Sequence, residues 1–304
     1  MINSNQPNNS IAISLVRPKS LFWSNLRKNW YKFSRNRLSI VGLVIVAVMI
    51  ISAIFAPWII PYPEHVGPFV DFESAGQPPS LQHLCGTDVI GRDIFSRIIF
   101  ALRNALIMAV VVLALAVPSG TLLGLLAGYF QNTWIDIVIM RITDIFLSVP
   151  PLILALAIAA MLKPTLMNAM IAITLTWWSW YTRLVYGMAS SVRNEYFVIA
   201  ADLTGASKFH ILLREILPNC LSPVFTKMAL DVGWVILIGA TLSFVGMGEQ
   251  PPIPALGQMV SDGSKYMPTL WWMTTFPALA IVLAILGFNL MGDGLGDMLE
   301  IGRE

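Results

Sequence analysis

Along the chain the charged residues are spaced so that six apolar runs stand out, at 38–60, 104–130, 137–162, 165–182, 225–247 and 270–291. Each approaches the roughly 20 helical residues that cross a hydrocarbon core of about 30 Å. The third run admits Arg141 and Asp144 near one end, and the fifth holds Asp231 near its start. Strands of a membrane barrel alternate apolar and polar positions, whereas these runs are continuous, so helices are the state that satisfies the backbone in lipid. The pattern predicts an all-α, polytopic membrane protein with six transmembrane helices. It divides the chain into a basic segment at 1–37, a first span at 38–60, a loop at 61–103, a five-helix core at 104–291 and a tail at 292–304.

Composition strengthens this reading. Of 304 residues, 56% are hydrophobic and 12% charged, about half the charge of an ordinary soluble domain, and the mean hydropathy is +0.71. Arg17, Lys19, Arg27, Lys28, Lys32, Arg35 and Arg37 precede the first span with no acidic residue among them, which places the N-terminus in the cytosol by the positive-inside bias. Six crossings return the C-terminus to the same side. Only Arg92, Arg97, Arg103, Lys163 and Lys265 of the 19 basic residues then lie outside. The basic segment reads as a topology signal with attraction to lipid headgroups, and no nucleic-acid partner is expected. Residues 1–16, rich in Asn and Ser, are expected to be disordered. They are not expected to form a cleaved leader, because the first apolar run begins late and is long enough to span.

Catalytic patterns are absent. A P-loop requires a Gly-Lys pair opening a helix, and the chain has no Gly-Lys dipeptide, so any ATP must be hydrolysed by another polypeptide. There is no G-x-S-x-G elbow. His65, His83 and His210 are scattered, and neither Cys85 nor Cys220 accompanies a zinc-binding spacing, so no catalytic residue and no metal site is expected. The predicted topology puts the two cysteines on opposite sides, where they cannot pair.

The polar stretch at 190–222 is longer than a connection between neighbouring helices needs. Residues 195–203 read as a short helix, Gly205-Ala206-Ser207 as its break, and residues 208–217 as a second short helix closed by Pro218-Asn219. Small residues at Ala200 and Ala201 permit close approach of a partner. On residue chemistry alone the stretch is either a docking elbow or an amphipathic helix pair lying on the membrane, with Ile211, Leu212, Leu213 and Ile216 inserted.

The residues carry a resemblance that separates these alternatives. Tyr196-Phe197-Val198-Ile199-Ala200-Ala201, Gly205-Ala206-Ser207 and Ile216-Leu217-Pro218-Asn219 resemble the EAA loop of binding-protein-dependent ABC permeases. After the first span, Gly86-Thr87-Asp88-Val89-Ile90-Gly91-Arg92-Asp93-Ile94-Phe95-Ser96-Arg97 is similar to the G-T-D-x-x-G-R-D-x-x-S-R signature of the dipeptide, oligopeptide and nickel permeases. Gly246 to Pro252 and Phe288 to Asp297 are similar to the outer-loop and C-terminal patterns of that family, and the C-terminal pattern favours the second of its two paired permeases. The resemblance covers about 28–299 and implies a type I ABC importer permease fold. It implies that the 190–222 elbow is a coupling helix, with Tyr196, Ala200, Ala201, Gly205, Ala206, Ser207, Glu215, Leu217 and Pro218 meeting an ATPase. The implied partners are a homologous permease, two ATPase subunits that hold ATP and Mg, an extracytoplasmic binding protein, and lipid of a bacterial inner membrane; no cofactor is expected on this chain. The chain departs from the pattern at Glu215, where His is frequent, at Ile199, which replaces the Glu of the loop's name, and at Cys85, where Leu is common. None of the three abolishes the helix–turn–helix reading, and Glu215 bears on which basic residue of the ATPase is faced, and so on the partner's identity and not its class.

Di- or oligopeptides are the cargo the resemblance favours, with nickel chelates, glutathione or another small solute as the alternative for the same machine. A channel or ion-driven transporter is disfavoured by the long polar elbow and by the lack of an acidic relay at the span centres. Asp88, Arg92, Asp93 and Arg97 read as an ion-paired elbow outside the membrane. Gly120, Gly124 and Gly128 form one stripe on the second span for helix packing. Pro118, Pro150 and Pro151 are expected to kink their spans. The Trp177–Arg183 cluster reads as an interfacial belt. Arg183 and Asp231 are expected either to snorkel or pair with each other, or to face a zwitterionic cargo in the pathway.

Overall fold

The computed structural model describes residues 30–299. The expectations for residues 1–16, for Arg17, Lys19, Arg27 and Lys28, and for residues 300–304 fall outside the described residues. Within them, every regular element is helical, apart from one isolated bridge between Thr87 and Asp93.

Helix α1 spans Arg37–Ile54, and Asn36 caps it by accepting the Leu38 N–H at 3.0 Å. The first span breaks at Phe55 and resumes as α2, Ala56–Ile59, because Pro57 lacks an N–H and is tolerated only in a first turn. Helix α3, Ile94–Tyr129, begins ten residues before the apolar run that predicted it, since Asp93 caps it by accepting the Ser96 N–H at 2.8 Å. Its 36 residues reach about 54 Å at 1.5 Å per residue. The third run divides into α4, Trp134–Leu147, and α5, Pro151–Ala160, bent by 88°. Val149 precedes a proline and is turned away from the α region, and two successive prolines supply no N–H to continue the ladder. Helix α6, Leu166–Val192, follows, then α7, Tyr196–Leu203. Helix α8 runs Lys208–Phe244, α9 Leu256–Ser264 and α10 Trp272–Leu299.

Among the described residues, four helices (α1, α3, α8 and α10) are long and apolar enough to cross a membrane, five if the bent α4–α5 pair is one span. The six-span count is therefore not reached on these grounds. Helix α6 has the length, but Trp, Ser, Thr, Tyr and Arg183 dilute its hydropathy. Two boundaries also differ from expectation. The second short helix of the elbow does not close at Pro218-Asn219: Ile211–Ile216 forms a π-helical stretch and the chain continues into α8. Pro218 falls in the first turn after that stretch, where its missing N–H costs little. Part of the expected tail, residues 292–299, is still helix.

The core forms where α3 lies along α6 and where α10 packs between α1 and α8. In lipid such association rests on close contact, since leaving the acyl chains releases no water. Gly120, Gly124 and Gly128 face α6. A Cβ on Gly124 would stand 2.6 Å from the Thr182 carbonyl oxygen and 2.8 Å from Val185 Cβ, and one on Gly128 2.7 Å from Ala189 Cβ. Tyr181, Val185 and Ala189 of α6 are completely buried there. Replacing Gly124 with Leu should lower stability in detergent by roughly 2 kcal/mol or more, because the backbone of α6 cannot yield. Gly187→Ala, where an added Cβ meets nothing within 4 Å, is the control and should be neutral or slightly stabilising in thermal unfolding; equal effects of the two would contradict this packing.

Candidate functional site

The two ends of α3 carry the two candidate regions. At its C-terminal end the Tyr129 carbonyl accepts from Arg193 Nη1 at 2.9 Å, which ties the start of the 190–222 elbow to the bundle. A groove of about 380 Å³ lies here, lined by Tyr129, Phe130, Arg193, Val198, Asp202 and Lys208. Helix α7 is anchored through Val198, its one buried residue. Its other faces are bare: Tyr196 is 90% exposed and Leu203 84%, with Phe197 and Ile199 exposed beside them.

A Schellman motif ends α7. The Ala206 N–H donates to the Ala201 carbonyl at 3.0 Å and the Gly205 N–H to the Asp202 carbonyl at 2.9 Å. Gly205 takes φ +85°, a left-handed value that glycine adopts without strain. Ser207 then caps the next helix by accepting the His210 N–H at 3.2 Å. Ala200 is exposed, while Ala201 and Ala206 pack partly against the core. Glu215 faces His210 of its own chain at 3.6 Å, and its carbonyl accepts from Asn219. Leu217 and Pro218 lie on the continuous α8, with Pro218 exposed.

At the other end, Gly86 to Arg97 folds into a compact turn. Asp88 Oδ1 accepts the N–H groups of Ile90 and Arg92 at 3.0 and 2.9 Å, and its Oδ2 meets Arg92 Nε at 2.7 Å. Thr87 Oγ1 donates to the Ser74 carbonyl and accepts the Gln77 N–H. Gly91 has φ +83° and lies against the backbone of Asp71, leaving no room for a side chain. Gly86 also takes a positive φ.

Only half of the expected ion pairing forms. Asp88 and Arg92 pair, but Asp93 and Arg97 do not. Asp93 holds His83 Nδ1 at 2.9 Å with one carboxylate oxygen and caps α3 with the other. Arg97 donates from Nη1 to the backbone carbonyls of His65 at 3.1 Å and Pro252 at 3.4 Å. The Asp93 N–H donates to His65 Nδ1 at 2.8 Å, so His65 accepts there and is held neutral. Two histidines that seem scattered in sequence thus meet through Asp93, and no spacing rule would have joined them. Glu249 of the Gly246–Pro252 pattern accepts the Leu166 N–H at the start of α6, at 3.2 Å. Cys85 is partly buried, and burial beside Asp93 pushes its thiol up to about 11, so it stays protonated. Among the described residues no group of three His, Cys, Asp or Glu side chains could hold a metal ion.

The charges inside the helices find partners other than those expected. Arg183 and Asp231 do not pair with each other. Arg183 pairs with Asp144 of α4 on a half-exposed flank. Asp231 is 4% exposed and is held by Lys227 Nζ at 3.1 Å and by Trp177 Nε1 at 3.0 Å. Lys227 also lies over the rings of Trp180 and Tyr181. The Trp177–Arg183 cluster is accordingly not a simple interfacial belt, since Trp177 and Tyr181 are buried and serve the Asp231 site. The i,i+4 spacing of Lys227 and Asp231 was a legible signal for their pairing.

Burial lowers the pKa of His65 below 6.5, against the opposing pull of Glu64 and Asp93. The native protein then binds fewer protons here than the unfolded chain. The contribution of His65 to stability is full above about pH 6.5 and is lost as the pH falls below it. Thermal unfolding in detergent should show a loss on acidification through this range that is reduced in His65→Gln; an unchanged pH profile in that variant would contradict the assignment.

Comparison with known proteins agrees with this anatomy over nearly the whole chain. Residues 120–302 match the family described as binding-protein-dependent transport system inner membrane component. Residues 22–79 match the N-terminal TM domain of oligopeptide transport permease C. A probable D,D-dipeptide transport system permease protein of Escherichia coli is 40% identical over 287 residues, covering 94% of this chain and 95% of the relative. A dipeptide transport system permease protein of Alkalihalophilus pseudofirmus is 41% identical, covering 90% of this chain and 89% of its own. A di/tripeptide transport system permease protein of Pseudomonas aeruginosa is 37% identical, covering 93% and 94%. The chain therefore belongs to the family of inner-membrane components of binding-protein-dependent transport systems, and it is a membrane-spanning permease subunit.

Proposed function

We propose that this permease imports di- or oligopeptides and provides half of their path across the membrane, in partnership with a homologous permease. Two separate ATPase subunits, holding ATP and Mg, supply the energy, and an extracytoplasmic binding protein delivers the cargo. The peptide assignment is supported by what the three relatives are named for. In this reading the bent α4–α5 pair and α6 complete six crossings, and both termini lie in the cytosol. Apart from the earlier start of α3 and the helix that continues to Leu299, the segments at 1–37, 38–60, 61–103, 104–291 and 292–304 keep the roles that the hydrophobic pattern suggests.

The observation that carries the mechanism is the bare apolar face of α7. Tyr196, Phe197, Ile199 and Leu203 project from a helix anchored by Val198 and in part by Ala201, and exposed apolar surface of this kind on a membrane protein's polar end marks a docking site. Seating that face in an ATPase would let nucleotide-driven closure push on α7. The push would pass through the π-helical stretch into α8 and, through Arg193, into α3. Rocking of the bundle between inward-open and outward-open states would follow. The half-exposed Arg183–Asp144 pair supports placing that flank toward the partner permease and the path, because such a pair is costly against lipid. Asp231, sealed by Lys227 and Trp177, has a packing role in this scheme and does not touch cargo.

ATP hydrolysis by the complex reconstituted with its binding protein tests both parts. Di- to pentapeptides should stimulate it in the wild type. Leu203→Glu, a change at an exposed position that leaves the fold intact, should remove most of the stimulation and weaken recovery of the ATPase with the permease. If only a metal chelate or glutathione stimulates, the machine stands and the cargo is wrong. Wild-type coupling in Leu203→Glu would refute the docking role of α7.

A further inference from the structure

Between the Gly86–Arg97 turn and α9 lies a cavity of 140 Å³, whose walls include Asp88, Arg92, Arg97, Gln258, Asp262 and Lys265. Its charges are unbalanced. Asp88 is taken by Arg92 at 2.7 Å and Asp262 by Lys265 at 3.1 Å, which leaves Arg97 with no carboxylate within ion-pair distance among the described residues. Arg97 is only 5% exposed. A buried guanidinium is costly unless its donors are met and its charge is balanced. Its Nη1 is spent on two backbone carbonyls. Its Nε and Nη2 make no hydrogen bond among the described residues, and Arg97 is one of the residues that line the cavity. The carbonyls of His65 and Pro252 come from two loops far apart in sequence, and together they fix the guanidinium in place. A planar fork held in this way, with free donors beside a small cavity, suits a carboxylate.

We propose that this cavity receives a carboxylate, and that the group is an acidic side chain which the docked binding protein inserts beside Arg97. The proposal rests on the reading of this chain as a permease served by an extracytoplasmic binding protein, with the Gly86–Arg97 end outside. Size selects the occupant. A cavity of about 150 Å³ accommodates a molecule of benzene, so 140 Å³ admits an Asp or Glu side chain but not a whole dipeptide. The cavity lies at the end of the bundle opposite α7, the end that the binding protein would approach in the proposed orientation. Asp88 and Asp262 would repel a misplaced anion, while the two bonded carbonyls prevent Arg97 from swinging out to meet the ligand, so the partner must bring its carboxylate in.

The test uses the complete transporter in lipid nanodiscs and its purified binding protein, with affinity measured by biolayer interferometry. Arg97→Gln removes the charge. Gln258→Trp fills the cavity from a side chain that makes no hydrogen bond among the described residues, and so decides the matter if Arg97→Gln fails to assemble. Each should weaken binding of the binding protein by about 30-fold or more, the loss expected when one partner of a buried charge pair is removed. One Asp→Asn or Glu→Gln change in the binding protein should weaken binding similarly and add nothing further in the Arg97→Gln background. Unchanged affinity in both permease variants would overturn the proposal. A raised KM for peptide with unchanged binding-protein affinity would also overturn it, by showing that the carboxylate is the cargo's own. Failure of the underlying reading is distinguishable, because the wild-type transporter would then not bind the binding protein at all.

Discussion

The close approach of α3 to α6 is the contact on which the rest of the structure hangs. Three glycines at four-residue spacing bring one backbone against the other with no Cβ between them. This makes a rigid pair of helices that extends from one end of the molecule to the other. At one end Asp93 caps α3 and gathers His83, and its backbone N–H engages His65. At the other the last carbonyl of α3 holds Arg193, from which the α7 elbow starts. A displacement of α7 therefore has a stiff element to act upon, and the opposite face of the molecule is positioned by that same element.

Around this frame the low-dielectric surroundings govern the charges. A charge withdrawn from water inside a helix is best held by both a counter-charge and a directional partner, as Asp231 is between Lys227 and the Trp177 indole. Removing one member would strand the other, which costs far more than such a pair contributes by forming. Arg97 departs from this rule. It is buried with carbonyl contacts alone, and that departure turns attention from packing to binding.

Much of the architecture was legible in the sequence because lipid imposes so simple a demand. Continuous apolar runs had to be helices, and the four-residue glycine period had to face a neighbour. The Gly205 break was legible too, since its left-handed conformation ends α7. What escaped was set by tertiary detail. The 88° bend between α4 and α5 depends on how Val149, Pro150 and Pro151 act together, where prolines alone suggested a kink of unspecified size. The π-helical stretch at Ile211–Ile216 has no sequence signature, so Pro218 looked like a terminator when it is a first-turn residue. Arg183 and Asp231 looked like partners because both are charges near the ends of apolar runs. Each instead found a closer group, and the choice was made by helix rotation that spacing does not encode. His65 and His83 were joined only because the loop folds back upon Asp93.

The orientation of the two ends is the claim on which both the docking of α7 and the cavity beside Arg97 depend. The most direct measurement is cysteine labelling in spheroplasts with a membrane-impermeant maleimide, in a background with Cys85 and Cys220 replaced. Leu81→Cys, on the loop before the Gly86–Arg97 turn, and Leu203→Cys, on α7, are both highly exposed positions. The account predicts that Leu81→Cys is labelled in intact spheroplasts and that Leu203→Cys is labelled only after the membrane is permeabilised. Labelling of Leu203→Cys from outside, or protection of Leu81→Cys until permeabilisation, would contradict it.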